Sequence, residues 1–436
     1  MDRRSSERLE EPTRLGSYEI IRKLARGGMA ELFLARGPEG LAVLKKILPK
    51  HADSPRFLQL FLDEARLAGS LDHPNIVRVF GADRDGATAF FAMEYLHGQD
   101  VRTMLHRAWT IREQVPIEHA IHVASRVAAA LHHAHEQRRP DGTLLQIVHR
   151  DVSPSNIIVS YQGAVKLVDF GVAKAATSTV KTRTGALRGK VSYMSPEQAR
   201  GAAIDRRSDI FSLGIVLWEM ITTQRLFRGE NDLQTLQLII NRPPAPPSEL
   251  QPACEPELDR IVLRALAQDP DARYQTAAEL LGDLEDAASI QGLDLEAGAL
   301  AGYLGHLFAP EVRSWEEAKA AGRTLVQHLT SGGELTIQLT ESDFIEAVDL
   351  NAMIEDDAED DAELDDDSEL ERTEIQTHPE PALAATGPLD LPPPIARLPT
   401  PPVPLPVVRV GSAPVAAGVA PAMPPPVAPI APVAPP

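Results

Sequence analysis

Apolar and polar residues follow two different periods in the first hundred residues of this chain. Five runs have β-like alternation and are bounded by turn sequences such as RGGM and GPEG; they lie at residues 17–24, 30–35, 41–48, 76–82 and 87–96. Between the third and fourth runs, FLQLFLDEARLAGSL has helical spacing, with Glu64 on the same stripe as its apolar residues. The pattern predicts a small antiparallel sheet with one helix, and a carboxylate that needs a partner.

Beyond Gly98 the spacing of apolar residues becomes mainly helical. Helices are predicted at residues 117–135, 209–221, 231–240, 255–267 and 276–287. The second of these is apolar on almost every face, which is typical of a helix in the middle of a core. Between the first two helices, LLQIV, IIVS and AVKLVDFG are predicted as short strands around polar turns. Later, residues 293–329 fit two or three more helices, and ELTIQL alternates like a strand.

The composition separates a globular part from a C-terminal part that cannot form a core. The chain has 436 residues, 43% of them hydrophobic, but its 37 prolines crowd towards the C-terminal end. Residues 355–374 contain thirteen Asp and Glu against one Arg, so about twelve of the net −19 charges come from one short run. We expect an acidic disordered segment at 341–378 and a Pro/Ala-rich disordered tail at 379–436.

Charge and cysteine content exclude several classes of function. The rest of the chain is only mildly acidic, so no nucleic-acid partner is expected. Cys254 is the only cysteine, which excludes an intrachain disulfide or a cysteine-based metal site and favours a reducing, cytoplasmic setting. The sequence contains neither a signal peptide nor an unbroken apolar run of about twenty residues, so a soluble protein without membrane insertion is expected.

The parts that phosphoryl transfer requires occur in order along the chain. The turn RGGM lies between two strands, where backbone amides can approach phosphates. Lys45 lies on the next strand, and Glu64 on the following helix is a suitable partner for it. In the loop HRDVSPSN, Asp151 can orient an attacking hydroxyl or accept its proton. Asn156 and Asp169 carry the hard oxygen atoms that suit Mg²⁺.

Each of these residues also has an ordinary structural interpretation. RGGM by itself is more often a plain hairpin, Glu64 fits the edge of its helix, and Asp and Asn favour turns anyway. Only their combined order and spacing favour the functional interpretation. The histidines of the first long helix invite a metal-site interpretation, but surface and packing roles are expected for His119, His122, His132, His133 and His135.

The sequences LARGGMAELFLA, VLKK, HPNIV, MEY, HRDVSPSN, DFG, SPE and DIFSLG occur in the order and at the spacing of the protein kinase family. Over residues 18–287 the chain resembles a bacterial eukaryotic-like Ser/Thr kinase. The resemblance implies an α+β, two-lobed fold, with a flexible N-terminus at 1–16, a β-rich N-lobe carrying one regulatory helix at 17–97 and a mainly helical C-lobe at 98–287. Residues 288–340 are expected to be a helical extension, whose packing the sequence leaves open.

The resemblance also implies an activity and a set of site residues. It implies that ATP and Mg²⁺ bind in the cleft between the lobes, and that the γ-phosphate passes to Ser or Thr hydroxyls of protein substrates. Met93 is the gatekeeper, Glu94 and Leu96 offer hinge backbone to adenine, and Asp100 meets the ribose. The implied nucleotide-binding set is Leu24, Gly27, Gly28, Lys45, Glu94, Leu96 and Asp100. The implied catalytic set is Asp151, Lys45, Glu64, Asn156 and Lys190, with Asn156 and Asp169 as metal ligands.

Four positions depart from the family pattern. Ala25 and Ala30 replace two glycines of the nucleotide loop, so a stiffer loop is expected. Ser153 stands where Ser/Thr kinases usually place a lysine that faces the γ-phosphate, and Lys190 stands where they usually have the threonine that contacts this lysine. We hypothesise a swap, in which the Lys190 ammonium enters the γ-phosphate site from the opposite side with Ser153 as its hydrogen-bond neighbour.

The resemblance further suggests how the chain is regulated and held together. Arg150 precedes the catalytic aspartate, and in the family such an arginine often receives an activation-loop phosphate. Thr182 and Thr184 lie where similar bacterial kinases autophosphorylate. Glu197 and Arg273 match a structural ion pair of the family.

Two rival hypotheses keep the fold but change the function. Ser153, Ala25 and Ala30 suit an ATP-binding pseudokinase that signals by its conformation, although such a chain has no chemical reason to keep the whole catalytic set. A scaffold built on the acidic and proline-rich C-terminal part is the other rival. RLPTPP there resembles ligands of proline-reading domains, but a linker is the simpler interpretation. Partner binding by this part and dimer formation are left open.

Overall fold

The structure is a computed structural model that describes residues 14–27, 29–52, 54–86, 88–170 and 191–330. Its N-lobe is a six-stranded antiparallel sheet with the strand order β1-β2-β3-β4-β6-β5. The strands are β1 (Arg14–Leu15), β2 (Tyr18–Arg26), β3 (Ala30–Gly37), β4 (Gly40–Ile47), β5 (Val79–Asp85) and β6 (Thr88–Glu94). The predicted antiparallel sheet is confirmed. Its first strand lies before the predicted lobe boundary at residue 17, because Leu15 is buried against the sheet.

The two faces of this sheet have separate hydrophobic cores, because neighbouring residues of a strand face opposite sides. Phe90 packs with Phe33 on one face, and Phe91 packs on the other face against helix α2 (Pro55–Gly69). A short helix α1 (Pro49–Ala52) precedes α2. The buried stripe of α2 contains Phe61, Glu64, Ala65 and Ala68. The predicted helix with a carboxylate on its apolar face is thus confirmed.

Strands β3 and β4 are joined by a tight turn with two glycines. Gly37 pairs with Gly40 across the turn, and only two residues lie between them. Gly40 has a φ of +99°, a conformation that side chains with a Cβ rarely adopt. At Gly37 a Cβ would lie 2.2 Å from the ring of Tyr18, so both ends of the turn require glycine.

Strand β4 carries two successive lysines that face opposite sides of the sheet. On the face away from α2, Lys46 Nζ lies 3.1 Å from Glu31 Oε2 and Lys23 Nζ lies 2.7 Å from Glu31 Oε1. Burial opposes ionisation of Glu31, but hydrogen bonds from the two lysines outweigh it and lower its pKa. The Glu31 network, formed by Lys23, Glu31 and Lys46, therefore ties three neighbouring strands together.

The rest of the described chain is mainly helical. Its helices are α3 (Val101–Thr110), α4 (Ile117–His135), α5 (Pro196–Ala199), α6 (Arg206–Thr222), α7 (Asp232–Asn241), α8 (Pro256–Ala265), α9 (Ala277–Gln291), α10 (Ala297–Leu307), α11 (Ala309–Ala320) and α12 (Leu325–Thr330). Helix α6 is buried on every face from Ser208 to Thr222, as its apolar pattern predicts. Its N-cap is Asp205, whose side chain accepts from the backbone N–H of Arg207. Within the described parts of the chain, no helix has both the length and the apolarity to cross a membrane.

A second, three-stranded sheet lies beside these helices, with the order β7-β8-β9. Its strands are β7 (Gly98–Asp100), β8 (Ile157–Ser160) and β9 (Val165–Leu167), so strands are confirmed at IIVS and within AVKLVDFG. The strand predicted at LLQIV is wrong. Gln146 there has a φ of +51°, which no strand residue can have, and only Leu144 forms an isolated bridge, to Arg138. Strand β7 was not predicted.

The last three described helices pack on the C-lobe. Leu300, Leu304, Leu307 and Phe308 belong to the same hydrophobic core as α4 and α6. Arg107 of α3 donates to Glu311 of α11 over 2.8 Å. The packing that the sequence left open for residues 288–340 is thus defined as far as residue 330. ELTIQL, the acidic segment and the Pro/Ala-rich tail lie outside the described residues.

The ion pair expected between Glu197 and Arg273 is confirmed. Arg273 donates to both carboxylate oxygens of Glu197, over 2.7 and 2.8 Å, and Ser208 donates to the same carboxylate over 2.6 Å. Burial opposes ionisation of Glu197, but these donors outweigh it and lower its pKa. A bidentate arginine pair of this kind fixes α5 to the segment that precedes α9.

Candidate active site

Three charged side chains from three distant segments meet at the face of the N-lobe sheet that packs on α2. Lys45 Nζ of β4 lies 2.7 Å from Glu64 Oε1 of α2 and 2.9 Å from Asp169 Oδ1, just beyond β9. The ammonium also lies 5.5 Å from the ring centroid of Phe91. Lys45 therefore links the two lobes through Asp169, and Glu64 is the buried carboxylate for which the sequence predicted a partner.

The electrostatics of this group favour a charged lysine. Burial alone lowers the pKa of Lys45, but the carboxylates of Asp169 and Glu64 outweigh it and raise the pKa above its ordinary value. Burial raises the pKa of Glu64, and the contact with Lys45 opposes this. The raised pKa of Glu64 by itself favours its neutral form. Lys45 Nζ, however, has two N–O contacts shorter than 3 Å, and these favour a charged lysine with both carboxylates ionised.

The loop HRDVSPSN brings the predicted Asp151 and Asn156 into direct contact. Asn156 Nδ2 donates to the backbone oxygen of Asp151 over 2.8 Å and to its Oδ2 over 2.9 Å. The backbone oxygen of Asn156 accepts from Val168 N over 2.9 Å, which places Asn156 beside the residue that precedes Asp169. The loop thus places Asp151 and Asn156 next to the segment of Asp169, which in turn contacts Lys45 of the N-lobe.

The histidine of the loop acts as an internal brace. His149 is fully buried; its Nδ1 accepts from Asp151 N over 3.3 Å, and its Nε2 lies 3.1 Å from the backbone oxygen of Val168. Burial lowers the pKa of His149, so the ring is neutral and donates through Nε2. The ring of Phe170 packs on it with centroids 4.6 Å apart. His149 thereby connects the loop with the segment that carries Asp169.

Asp209 fixes the loop backbone, and the sequence reasoning missed this role. Its Oδ2 accepts from His149 N and its Oδ1 from Arg150 N, both over 2.8 Å. His135 Nε2 lies 2.8 Å from the same Oδ2, so this histidine does more than the packing expected of it. Arg150 has a φ of +67°, a strained conformation for a residue with a Cβ, which these bonds help to hold. The feature of the sequence that could have indicated this role is a carboxylate at the start of a largely apolar helix.

The residues expected around adenine and ribose lie at the junction of the lobes. Met93 is buried at the end of β6. Glu94 Oε1 accepts from Lys166 Nζ over 2.5 Å and from Arg78 N over 2.7 Å. Asp100 Oδ1 caps helix α3 by accepting from Thr103 N over 2.6 Å, a role that was not predicted. Burial raises the pKa of Asp100.

The remaining predicted residues are only partly described. Leu24 lies half-buried on β2, Leu96 lies half-buried between β6 and β7, and the backbone N–H of Gly27 donates to Ala30 O over 2.8 Å. Ser153 is buried, with its Oγ 3.2 Å from Ser155 Oγ. Four predicted residues lie outside the described residues: Gly28, Thr182, Thr184 and Lys190.

The donor atoms in the cleft suit a magnesium ion. Both amide hydrogens of Asn156 are directed at Asp151, which leaves its carbonyl oxygen to face a cation. Asp169 adds a carboxylate, and hard oxygen donors of these types are those that Mg²⁺ prefers alongside phosphate oxygens. Within the described ranges, no cluster of three or more His, Cys, Asp or Glu side chains suited to a metal is found. Asn156 and Asp169 together fit a Mg²⁺ ion that is bound by one or two protein donors and by phosphate oxygens.

Comparison with known proteins agrees with this geometry. The model of the family described as "Protein kinase domain" matches residues 18–283. Tyrosine-protein kinase MasK of Myxococcus xanthus is 46% identical over 275 residues, covering 62% of this chain and 43% of that protein. Serine/threonine-protein kinase PknB of Mycobacterium leprae is 38% identical over 275 residues, covering 61% of this chain and 42% of that protein. Serine/threonine-protein kinase PrkC of Bacillus subtilis is 33% identical over 277 residues, covering 62% and 40%.

The matches cover the two lobes, but they do not cover the whole of this chain or of any of the three relatives. This chain spans less than half the length of these curated relatives. The family model covers strands β2 to β6 of the sheet, the buried Lys45–Glu64 pair, the loop of Asp151 and the Glu197–Arg273 pair in one continuous match. The chain therefore belongs to the protein kinase domain family.

Proposed function

We propose that this chain is a protein kinase that uses ATP and Mg²⁺ and transfers the γ-phosphate to Ser and Thr hydroxyls of proteins. The observation that carries the proposal is Lys45 Nζ, which contacts Glu64 and Asp169 simultaneously, at 2.7 and 2.9 Å. One charged group thus connects the sheet, helix α2 and the segment next to the catalytic loop. Protein kinases require this lysine–glutamate pair and a metal-binding aspartate at the same time.

Each residue of the cleft has a distinct task in this proposal. Lys45 holds phosphate oxygens, and Glu64 fixes the direction of its ammonium. Asp151 orients the substrate hydroxyl and accepts its proton. Asn156 and Asp169 hold Mg²⁺, which supplies neutralisation of the charge on the phosphates.

The nucleotide is held by the residues at the lobe junction. Glu94 and Leu96 offer backbone groups to adenine, Asp100 meets the ribose, and Leu24 covers the base from β2. The backbone of Gly27 and Gly28 cradles the phosphates. The side chain of Glu94 accepts hydrogen bonds from Lys166 Nζ and from the backbone N–H of Arg78, which supports a fixed hinge backbone.

The departure at Ser153 is resolved in our proposal by Lys190. Ser153 is 3% exposed and its hydroxyl lies 3.2 Å from that of Ser155, so it brings no charge to the cleft. Lys190 supplies that charge from the opposite side. If Lys190 takes the place of the missing lysine, the chain is an active kinase; if it does not, the pseudokinase alternative is favoured.

The functional test is phosphate transfer by the whole chain. Purified protein is incubated with Mg²⁺ and γ-labelled ATP, beside the Asp151→Asn and Lys190→Ala variants, and incorporated phosphate is mapped. Label that requires Asp151 and disappears on chelation of Mg²⁺ supports the proposal. Bound ATP without any transfer, to this chain or to added protein substrates, would favour the pseudokinase. A scaffold predicts instead that deletion of residues 340–436 removes partners, whereas an enzyme keeps its turnover.

Tyrosine specificity is the second candidate, since one of the similar proteins, MasK, is named a tyrosine-protein kinase. PknB and PrkC are named serine/threonine-protein kinases, and Pro154 and the sequence SYMSPE resemble Ser/Thr kinases. We therefore favour Ser/Thr specificity. Phosphoamino-acid analysis of the labelled products decides between the two.

Glu64→Gln is expected to lower kcat/KM for ATP by about ten- to a hundredfold. Hydrogen bonds to charged groups are worth about 1.5–3 kcal/mol, and Lys45 loses one of its two carboxylate partners. Steady-state kinetics at varied ATP measure the effect. The matched control is Asp63→Asn, the neighbouring carboxylate on α2, which faces solvent with Gln59 and Arg66. Equal losses in both variants would contradict the role of Glu64.

Phosphate on Thr182 or Thr184 is expected in active enzyme, with the Arg150 guanidinium donating to it. A phosphate carries about −1.5 to −2 charges and orders a loop by pairing with arginine. Arg150 is already held by Asp209, and its backbone oxygen accepts from Gln198 over 3.2 Å, so its position is fixed. Intact mass and peptide mapping measure the modification. An unmodified loop in fully active enzyme would contradict the prediction.

A further inference from the structure

The connection between the two lobes is short, and its last residue is His97. Strand β6 ends at Glu94 and β7 begins at Gly98, so residues 95–97 join the sheet to the helical lobe. The backbone oxygen of His97 accepts from Tyr161 N over 2.9 Å. A Cβ at Gly98 would lie 2.1 Å from Val159 O, so the connection is pressed against β8. Its conformation decides where the backbone groups of Glu94 and Leu96 point.

The C-terminal helices reach this connection through one aromatic side chain. The ring of Trp315 on α11 meets the ring of His97 edge-on, with centroids 5.8 Å apart and an interplanar angle of 86°. On its other side His97 meets Tyr161, with centroids 5.0 Å apart, also edge-on. Trp315 in turn contacts His328 of α12 at 5.5 Å. His97 is therefore held between Tyr161, the residue that follows β8 in the C-lobe, and Trp315 of the extension.

The contact between His97 and Trp315 is one of apolar packing. Burial, and to a lesser extent the neighbouring His328, lower the pKa of His97 to about 4, so the ring is neutral at physiological pH. Edge-to-face aromatic pairs are stabilised by the positive edge of one ring on the negative face of the other. The contact therefore restrains the ring geometry without depending on ionisation of His97.

The extension is firmly attached to the C-lobe close to this contact. Phe308 at the start of α11 is 2% exposed and packs on Tyr161 with centroids 6.2 Å apart. Arg107 donates to Glu311, and its guanidinium lies 5.5 Å from the ring centroid of Phe308. The same two helical turns of α11 thus carry the anchors and Trp315. A fixed helix can restrain the connection that it touches.

We propose that Trp315 is a positioning residue for nucleotide binding: by packing on His97 it fixes residues 95–97, so that nucleotide affinity depends on the helices at residues 297–330. The proposal rests on the proposed function, since it concerns the nucleotide site of a kinase. It gives the extension a task in the enzyme and links residues beyond the two lobes to the hinge. Loss of the contact leaves the hinge competent for only a fraction of the time, which weakens the apparent affinity by that fraction.

The test uses the full chain and the ligand MgADP, which binds without turnover. Trp315→Ala is expected to weaken the Kd for MgADP about three- to tenfold, the range that one aromatic pair supports. Trp315→Phe keeps an aromatic ring and is expected to recover most of the affinity. The matched control is Glu317→Ala, two residues along the same helix with an exposed side chain, which is expected to bind as the wild type.

A second measurement separates the hinge from the rest of the fold. Hydrogen exchange of residues 94–98 is expected to be faster in Trp315→Ala, while that of α4 and α6 stays unchanged. In a His97→Ala background, adding Trp315→Ala is expected to cause no further loss of affinity, because the contact is already absent.

Two outcomes would overturn the proposal: an unchanged Kd in Trp315→Ala with the fold retained, or a loss of equal size in Glu317→Ala. Failure of the wild type to bind MgADP counts instead against the proposed function. In that case the exchange of residues 94–98 still decides whether Trp315 restrains the hinge.

Discussion

Asp151→Asn is expected to lower turnover by about a hundred- to ten-thousandfold, the range for loss of a general base. Asparagine has nearly the same shape as aspartate, and its side-chain oxygen can still accept from Asn156 Nδ2, as Asp151 Oδ2 does over 2.9 Å. The loop should therefore keep its geometry and lose only the carboxylate. Because Asp151 does not hold the nucleotide in our proposal, the KM for ATP should change little.

Steady-state kinetics with a protein substrate measure this effect, together with a thermal unfolding curve. The matched control is Asp141→Asn, an exposed carboxylate in the preceding turn that accepts from the backbone N–H and the hydroxyl of Thr143. Turnover of Asp151→Asn within a few-fold of the wild type would exclude Asp151 as the base. A large fall in turnover for Asp141→Asn would show that loss of a carboxylate in this region lowers turnover in general, so that the effect is not specific to Asp151.

Lys190→Ala is expected to lower turnover by about a hundred- to a thousandfold, the cost of one preorganised charge in the transition state. Ser153 supplies no charge, since its side chain is a buried hydroxyl beside Ser155. Returning the lysine to the loop, in the double variant Ser153→Lys with Lys190→Thr, is expected to restore a large part of the activity. Single-turnover rates separate this effect from nucleotide binding.

The swap hypothesis predicts different turnover for the single and the double variants. Ser153→Lys alone brings two ammonium groups to one phosphate and should not exceed the wild type. Lys319→Ala, which removes an exposed lysine on α11, serves as the control and should leave turnover unchanged. An inactive double variant beside a fully active Lys190→Ala would show that the swap is wrong.

The contacts of the charged residues between the lobes were largely predictable because these residues are carried by short sequences of fixed spacing. Lys45, Glu64, Asp151, Asn156 and Asp169 were all placed from such sequences. The structure brings Glu64 and Asp169 to Lys45 and brings Asn156 to Asp151. The carboxylate on the apolar stripe of α2 needed a cation, and Coulomb attraction in a buried site allows few alternatives.

The supports of the cleft were not predictable in this way. Asp209 and His135 are 74 residues apart, and each lies on a helix that its pattern marks only as core. Apolar periodicity shows that a helix is buried but does not name its partner. For the same reason the helices at 293–329 were predicted, whereas their packing against α3 and His97 was not.

The failed strand at LLQIV has a tertiary cause. Ile147 is buried and the other apolar residues of this stretch are half-buried, but the chain must turn there so that the backbone N–H groups of His149 and Arg150 reach Asp209. The φ of +51° at Gln146 produces this turn. An apolar run of this kind can therefore be recognised as a turn instead of a strand only when its tertiary hydrogen bonds are known.

The two-glycine turn before β4 decides which lysine lies beside Glu64. Strand β4 is apolar on both faces, so burial alone does not distinguish its correct pairing with β3 from one shifted by a single residue. In a shifted strand Lys46 would face Glu64 and Lys45 would face Glu31, each with a carboxylate within reach. Gly37 and Gly40 permit only one turn length, and so they select the pairing. Which lysine faces Glu64 is thus a property of strand alignment, which is fixed by the turn between β3 and β4.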